Sequence, residues 1–227
     1  MNTQLYHQDA KDQVYYYAGL NFENSDYTNY GTEDSWLNMQ KDPEYERLIL
    51  FAGAAVSYGP QSKNKLNVFL NKTRHKGDAG RIYRGFEHHY TTVNISHTTA
   101  LARAFTFNTS AGLRVYDRSW QESVYTTGDS LLSNNGVHQN ILPIDANLSW
   151  KHGTDHLLIL GADYQNARYN TFSDPLMGYH QYGNKSRAFQ TGIYAQEELQ
   201  FDALTVRGGL RYNYIQTQID LISGENA

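Results

Sequence analysis

Apolar and polar side chains alternate along many segments of this chain, and this period of two constrains the fold most strongly. In residues 204–216, leucine, valine and tyrosine fall on one face, and threonine, arginine and asparagine on the other. Successive residues of a β-strand point to opposite sides of a sheet, so the pattern predicts strands with one apolar and one polar face. Helical periodicity is almost absent. About nine strands are predicted, each of about the length that crosses a bilayer: 14–23, 46–58, 66–71, 86–96, 105–115, 144–151, 158–165, 187–201 and 204–216.

The predicted connections alternate in length. Short turns are expected at 59–64, 97–101, 152–155 and 202–203, and long polar loops at 24–45, 74–85, 117–140 and 169–186. Short turns on one side and long loops on the other are typical of an antiparallel up-and-down transmembrane β-barrel. An odd strand number leaves two open edges, which lipid does not tolerate. The prediction is therefore an all-β fold that forms an incomplete barrel.

Composition limits the alternatives. No segment has the about 18–20 consecutive apolar residues of a membrane helix, and the mean hydropathy is −0.66. The net charge of −4 argues against a nucleic-acid partner. The absence of cysteine excludes disulfide scaffolds, thiol catalysis and Cys-ligated metals. A soluble all-β binding protein, a passive porin-like or shared-barrel channel, and an outer-membrane enzyme remain as alternatives.

Histidine and glutamate pairs suggest sites that strand geometry disfavours. His88 and His89, with His75 upstream, are the best metal candidates, but neighbouring residues of a strand point to opposite faces. The same argument separates Glu197 from Glu198, so no acid–base pair is expected there. Glu198 is predicted on the polar face. Glu197 falls on the apolar face, and nothing in the sequence explains a carboxylate there. No metal site, cofactor or catalytic residue is predicted.

One hairpin resembles a known family. Residues 192–199 (GIYAQEEL) lead through a short turn to 204–212 (LTVRGGLRY), and 156–164 (HLLILGADY) precede them. This order and spacing resemble the barrel of TonB-dependent outer-membrane receptors, in particular the ferric-siderophore type. The resemblance implies a bacterial outer-membrane location, with a plug domain, the TonB complex, membrane lipid and a small-molecule metal chelate as partners. Residues 1–227 are then expected to be part of the β-barrel domain, with no plug domain among them. Haem or cobalamin is also compatible as the ligand.

In such a receptor the long loops are expected to contact the ligand. Arginine pairs with anionic chelates, and aromatic rings stack on flat ligands. The candidate ligand-binding residues that combine these groups are Tyr27, Tyr30, Trp36, Arg81, Tyr83, Arg84, Arg118, Trp120 and Tyr125.

Overall fold

A single antiparallel sheet makes up the structure. The computed structural model describes residues 1–26, 44–78, 84–125, 129–153 and 156–220. Ten strands follow one another in chain order, and each pairs with the next, so the sheet is an up-and-down meander. The strands are β1 (Asn2–Lys11), β2 (Val14–Asp26), β3 (Glu44–Tyr58), β4 (Asn64–Asp78), β5 (Gly85–Ala100), β6 (Phe105–Tyr125), β7 (Asp129–His152), β8 (His156–Pro175), β9 (Gln181–Phe201) and β10 (Leu204–Asp220).

The prediction of an all-β, incomplete barrel is confirmed, and the sheet has one strand more than expected. β1 and β10 are the edges of the sheet and do not pair with each other. The sequence did not indicate β1, because Thr3, His7 and Asp9 interrupt the apolar face around Leu5. The described sheet therefore has ten strands instead of about nine.

Several predicted loops are shorter than expected. Most of 117–140 is strand, because β6 continues to Tyr125 and β7 begins at Asp129; likewise β8 reaches Pro175 and β9 begins at Gln181. Backbone pairing continues there although both faces have become polar. The turn expected at 97–101 instead occupies 101–104, because β5 extends to Ala100. We call the end of the sheet with the β3–β4, β5–β6, β7–β8 and β9–β10 connections the short-turn end, and the opposite end the long-loop end.

Strand register divides the side chains between two consistent faces. Leu148, Leu160, Ala195 and Leu210 lie side by side across β7–β10 and belong to the apolar face. On the polar face, Arg211 pairs with Asp163 at 2.7 Å. Further polar side chains on this second face are Asn108, Arg114, Asn147, Lys151 and Arg207.

Neither face is covered by a second layer. Leu160 is 47% exposed and Leu210 is 84% exposed. Among the described residues, Val137 is the only buried hydrophobic side chain. A large uncovered apolar face marks a surface that contacts lipid or protein. No helix of the described chain has the length and apolar character needed to cross a bilayer.

Two aromatic belts border the apolar face. Tyr164, Phe189 and Tyr214 form one belt, with ring centroids 5.4 Å and 6.2 Å apart. Phe105 and Trp150 stack at 5.8 Å near the short-turn end, where Phe201 also lies. The distance from Phe189 to Phe201 along β9 is roughly 40 Å, at about 3.3 Å per residue. A strand tilt of about 40° reduces the height between the two belts to roughly 30 Å. This height matches the hydrocarbon core of a bilayer, about 30 Å.

Candidate functional site

Four basic side chains form a row across the polar face near the long-loop end. Arg47 of β3 pairs with His75 of β4, His75 with His88 of β5, and His88 with Arg118 of β6. Directly paired residues on adjacent strands share a face, with their Cβ atoms about 4.5–5.5 Å apart. The His75 and His88 rings lie 5.6 Å apart between centroids. We call Arg47, His75, His88 and Arg118 the basic row.

The basic row lies beyond the apolar band of the sheet. On the opposite face of β4, the apolar side chains end at Leu70 and are followed by Lys72, Arg74 and Lys76. His75 therefore lies between two charged residues of its own strand. The row is placed where the strands extend past the apolar band toward the long loops.

Aromatic rings stand next to the basic row, on the side of the long loops. Tyr45 and Phe86 each approach the His75 ring edge-on, with centroids 4.9 Å away. Phe86 is paired with Trp120 across β5 and β6. Tyr45, Phe86 and Trp120 therefore share the polar face with the row. A ligand at the basic row would contact these flat aromatic surfaces.

The two arginines of the row differ in their carboxylate partners. Arg47 Nη2 pairs with Glu23 Oε2 at 2.8 Å, so one guanidinium is partly neutralised. The Nε atoms of Arg47 and Arg118 are both buried and have no hydrogen-bond partner among the described residues. A buried donor without a partner costs about 1–3 kcal/mol, which an anionic acceptor would recover. Arg118, which pairs with no carboxylate of the described chain, is therefore the less neutralised of the two guanidiniums.

Both histidines of the row are shifted toward the neutral form. Burial lowers the pKa of His75, and the nearby Arg47 charge lowers this pKa further. Burial also lowers the pKa of His88, with added effects from His75, Arg118 and His89. The Tyr90 hydroxyl lies 3.2 Å from His88 Nδ1, where it can donate to the neutral ring. At neutral pH the two arginines carry the positive charge, and acid adds charge at the histidines.

This arrangement suits a ligand with anionic oxygens and a flat surface. Guanidinium groups bind carboxylates and similar oxygens in a planar, bidentate geometry. Aromatic rings add stacking area, and imidazoles supply hydrogen bonds. The histidines do not form the metal site considered above: His88 belongs to the polar face, whereas His89 lies on the opposite face and bonds Glu87 at 3.0 Å. Across the described ranges, no three metal-ligating side chains are grouped for an ion.

The structure corrects the placement of two predicted ligand residues and leaves a third, Arg84, outside the strands. Arg118 and Trp120 lie within strand β6 on the polar face, not in a loop. Arg84 precedes β5, and its guanidinium donates to Ser123 Oγ at 2.8 Å and to the Ser123 carbonyl at 3.2 Å. This contact holds Arg84 against β6, whereas Arg118 belongs to the basic row and Trp120 lies beside it on the same face. The other predicted positions fall outside what the structure describes, including the side chain of Tyr125: Tyr27, Tyr30, Trp36, Arg81, Tyr83 and Tyr125.

Sequence reasoning missed Arg47, His75, His88, Tyr45 and Phe86 as one group. The signal that could have found them is strand parity. His75 alternates out of phase with Leu66, Val68 and Leu70 of its own strand, so it belongs to the polar face. The register between strands, which aligns His75 with Arg47 and His88, is not contained in that pattern.

Comparison with known proteins identifies the fold and the family. The TonB dependent receptor-like β-barrel family model matches residues 7–224. No curated protein sequence matches the chain significantly. Among solved structures, the chain is similar over its full length to the siderophore receptor PiuA from Acinetobacter baumannii. The identity is 10%, the TM-score is 0.73, and the match covers 42% of the PiuA chain.

Two further solved structures agree with this comparison. BauA, the ferric preacinetobactin receptor from Acinetobacter baumannii, gives 11% identity and a TM-score of 0.71 over 96% of this chain and 39% of its own. The ferric-catecholate import receptor Fiu from E. coli K12 gives 12% identity and a TM-score of 0.68 over 100% of this chain and 45% of its own. The chain spans less than half the length of these structures. The family match over nearly the whole chain shows that it belongs to the TonB-dependent receptor-like β-barrel family.

Proposed function

We propose that this chain forms the central part of the barrel wall of an outer-membrane receptor that takes up a ferric siderophore. The observation that carries the proposal is the basic row with the rings of Tyr45 and Phe86 beside it, on the polar face at the long-loop end. In a closed barrel the polar face lines the lumen and the long loops face the cell exterior. The row then stands on the path of an incoming ligand.

The rest of the receptor supplies what these strands do not. The open edges at β1 and β10 pair with further strands of the same barrel, because unpaired backbone groups are costly in lipid. Residues 1–227 belong wholly to the barrel domain, and a plug domain fills the lumen. The TonB complex supplies the energy for import. The chain is a transport receptor and not an enzyme, in keeping with its family.

Uptake by the complete receptor tests this function. Cells that lack other siderophore receptors are given radioiron bound to catecholate, hydroxamate or carboxylate siderophores, with haem and cobalamin as further ligands. The proposal predicts receptor-dependent accumulation of iron from one siderophore type, and its loss in a strain without TonB. Uptake of haem or cobalamin alone, or accumulation that persists without TonB, would contradict the proposal.

Ligand binding is expected to strengthen as the pH falls from about 7.5 to about 5.5. The folded-state pKa values of His75 and His88 lie below the ordinary value, so both rings are neutral at the upper pH and gain charge on acidification. A bound anion favours the charged rings, so binding takes up protons and becomes severalfold tighter. The dissociation constant is measured against pH with a siderophore that keeps its metal over this range. The double variant His75→Gln, His88→Gln should flatten the profile; an unchanged slope in that variant would exclude the two histidines as its cause.

A further inference from the structure

Glu197 is a carboxylate on the apolar face of the sheet. It is paired with Leu158 of β8, and Ile193, Ala195 and Leu199 share its side of β9. Its neighbour Glu198 lies on the polar face, where it accepts from Arg207 Nε at 2.8 Å. The proposed function places the apolar face against lipid, where an isolated carboxylate is costly. Glu197 therefore needs a specific environment.

A cluster of aromatic and imidazole rings provides part of that environment. His152 Nε2 lies 2.7 Å from Glu197 Oε1, within hydrogen-bond distance. His152 lies 5.0 Å from Trp150 and 5.5 Å from His156, measured between ring centroids. His156 in turn lies 5.7 Å from Phe201. We call Glu197, His152, His156, Trp150 and Phe201 the short-turn cluster.

The described sheet offers the short-turn cluster no lysine or arginine as a counter-cation. Between the short-turn end and the belt at Phe189, the described residues on the apolar face of β6–β10 include no lysine or arginine. The Glu197 carboxylate attracts a cation that approaches it. The faces of Trp150 and Phe201, 40% and 52% exposed, attract cations as well. The site is complementary to a positively charged group that approaches from outside.

We propose that the short-turn cluster binds the primary ammonium group of a phosphatidylethanolamine headgroup. This inference rests on the proposed function, because it needs the apolar face to contact the membrane. The cluster lies in the aromatic belt near the short-turn end, at the depth of lipid headgroups. A primary ammonium has three N–H donors for the Glu197 carboxylate, whereas a quaternary ammonium has none and keeps only the attraction to the rings. The chemistry therefore favours phosphatidylethanolamine over phosphatidylcholine.

Lipid enrichment around the complete receptor tests the proposal. The receptor is exchanged into bilayers with equal amounts of phosphatidylethanolamine and phosphatidylcholine, isolated with its tightly bound lipids, and analysed by mass spectrometry. We expect phosphatidylethanolamine to be enriched, and Glu197→Gln to reduce the enrichment about threefold to tenfold, the scale of one charge-assisted hydrogen bond. Glu197→Asp should retain part of it. Glu198→Gln is the matched control, because it removes the adjacent carboxylate from the other face, and it should leave the enrichment unchanged.

The result that would overturn the proposal is equal enrichment in the unsubstituted receptor and the Glu197→Gln variant, or no preference in either. Heat-modified gel mobility shows which variants fold as barrels. If Glu197→Gln does not fold, Trp150→Leu replaces it, with the same expected loss and the same contradicting result. Siderophore uptake is measured on the same samples. Lost enrichment with normal uptake supports the lipid site, whereas normal enrichment without uptake contradicts only the proposed function.

Discussion

Replacing Arg118 with glutamine is expected to raise the dissociation constant of the complete receptor for its ferric siderophore by about 10-fold to 100-fold. A hydrogen bond to a charged group contributes about 1.5–3 kcal/mol, and about 1.4 kcal/mol corresponds to a factor of ten. Arg118 carries the larger effect because no carboxylate of the described chain pairs with it, whereas Arg47 already pairs with Glu23 at 2.8 Å. Arg118→Lys should fall between, since a point charge keeps the attraction but loses the planar fork. Equilibrium binding of the radioiron complex measures each value.

Arg74→Gln is the matched control for this prediction. Arg74 precedes His75 on β4 but lies on the opposite face, where it pairs with Glu87 at 2.7 Å. Arg74→Gln should change the ligand affinity by less than about twofold, because it removes no ligand contact. The loss of the exposed ion pair costs only about 0–1 kcal/mol in stability. Equal weakening by Arg118→Gln and Arg74→Gln would refute a face-specific ligand site.

Replacing Leu160 with arginine is expected to destabilise the barrel in lipid by about 2–4 kcal/mol, the cost of a cation on the lipid face near the bilayer midplane. Leu160 is 47% exposed and lies between the two aromatic belts, beside Leu148 and Ala195. Reversible unfolding of the complete receptor in lipid vesicles, followed by tryptophan fluorescence, measures the change in free energy of unfolding.

The control for Leu160→Arg is the same substitution one residue earlier. Ile159 lies on the polar face, opposite Gln196 of β9, so an arginine there enters the lumen side. Ile159→Arg should cost far less than Leu160→Arg, because the lumen of such barrels is hydrated. Equal destabilisation by the two variants would contradict the assignment of the apolar face to lipid.

The sequence predicted which side of the sheet each regular strand residue occupies, because alternation determines this directly. It therefore separated Glu197 from Glu198, and placed Arg207 and Arg211 on the polar face, as the structure has them. It could not predict the cross-strand contact of Glu197, because His152 is brought there by the register of β7, β8 and β9. Register depends on pairings between distant segments, which the pattern of one strand does not contain.

The candidate site was predicted least well, for a related reason. Arg118 and Trp120 were expected in a loop because both faces of β6 are polar there, and loss of alternation ends a predicted strand. In the structure the backbone ladder continues through this polar part. That extension carries Arg118 beside His88 and makes the basic row. Strands that continue past the apolar band keep their hydrogen bonds but lose the pattern that reveals them in a sequence.

The most direct test of the account is the structure of the complete receptor with its ferric siderophore bound, determined by electron cryomicroscopy. The account predicts anionic ligand oxygens within hydrogen-bond distance of Arg118 and its neighbours in the basic row, with the ligand against Trp120 and Phe86. A ligand bound elsewhere in the receptor, with no contact to Arg47, His75, His88 or Arg118, would contradict it.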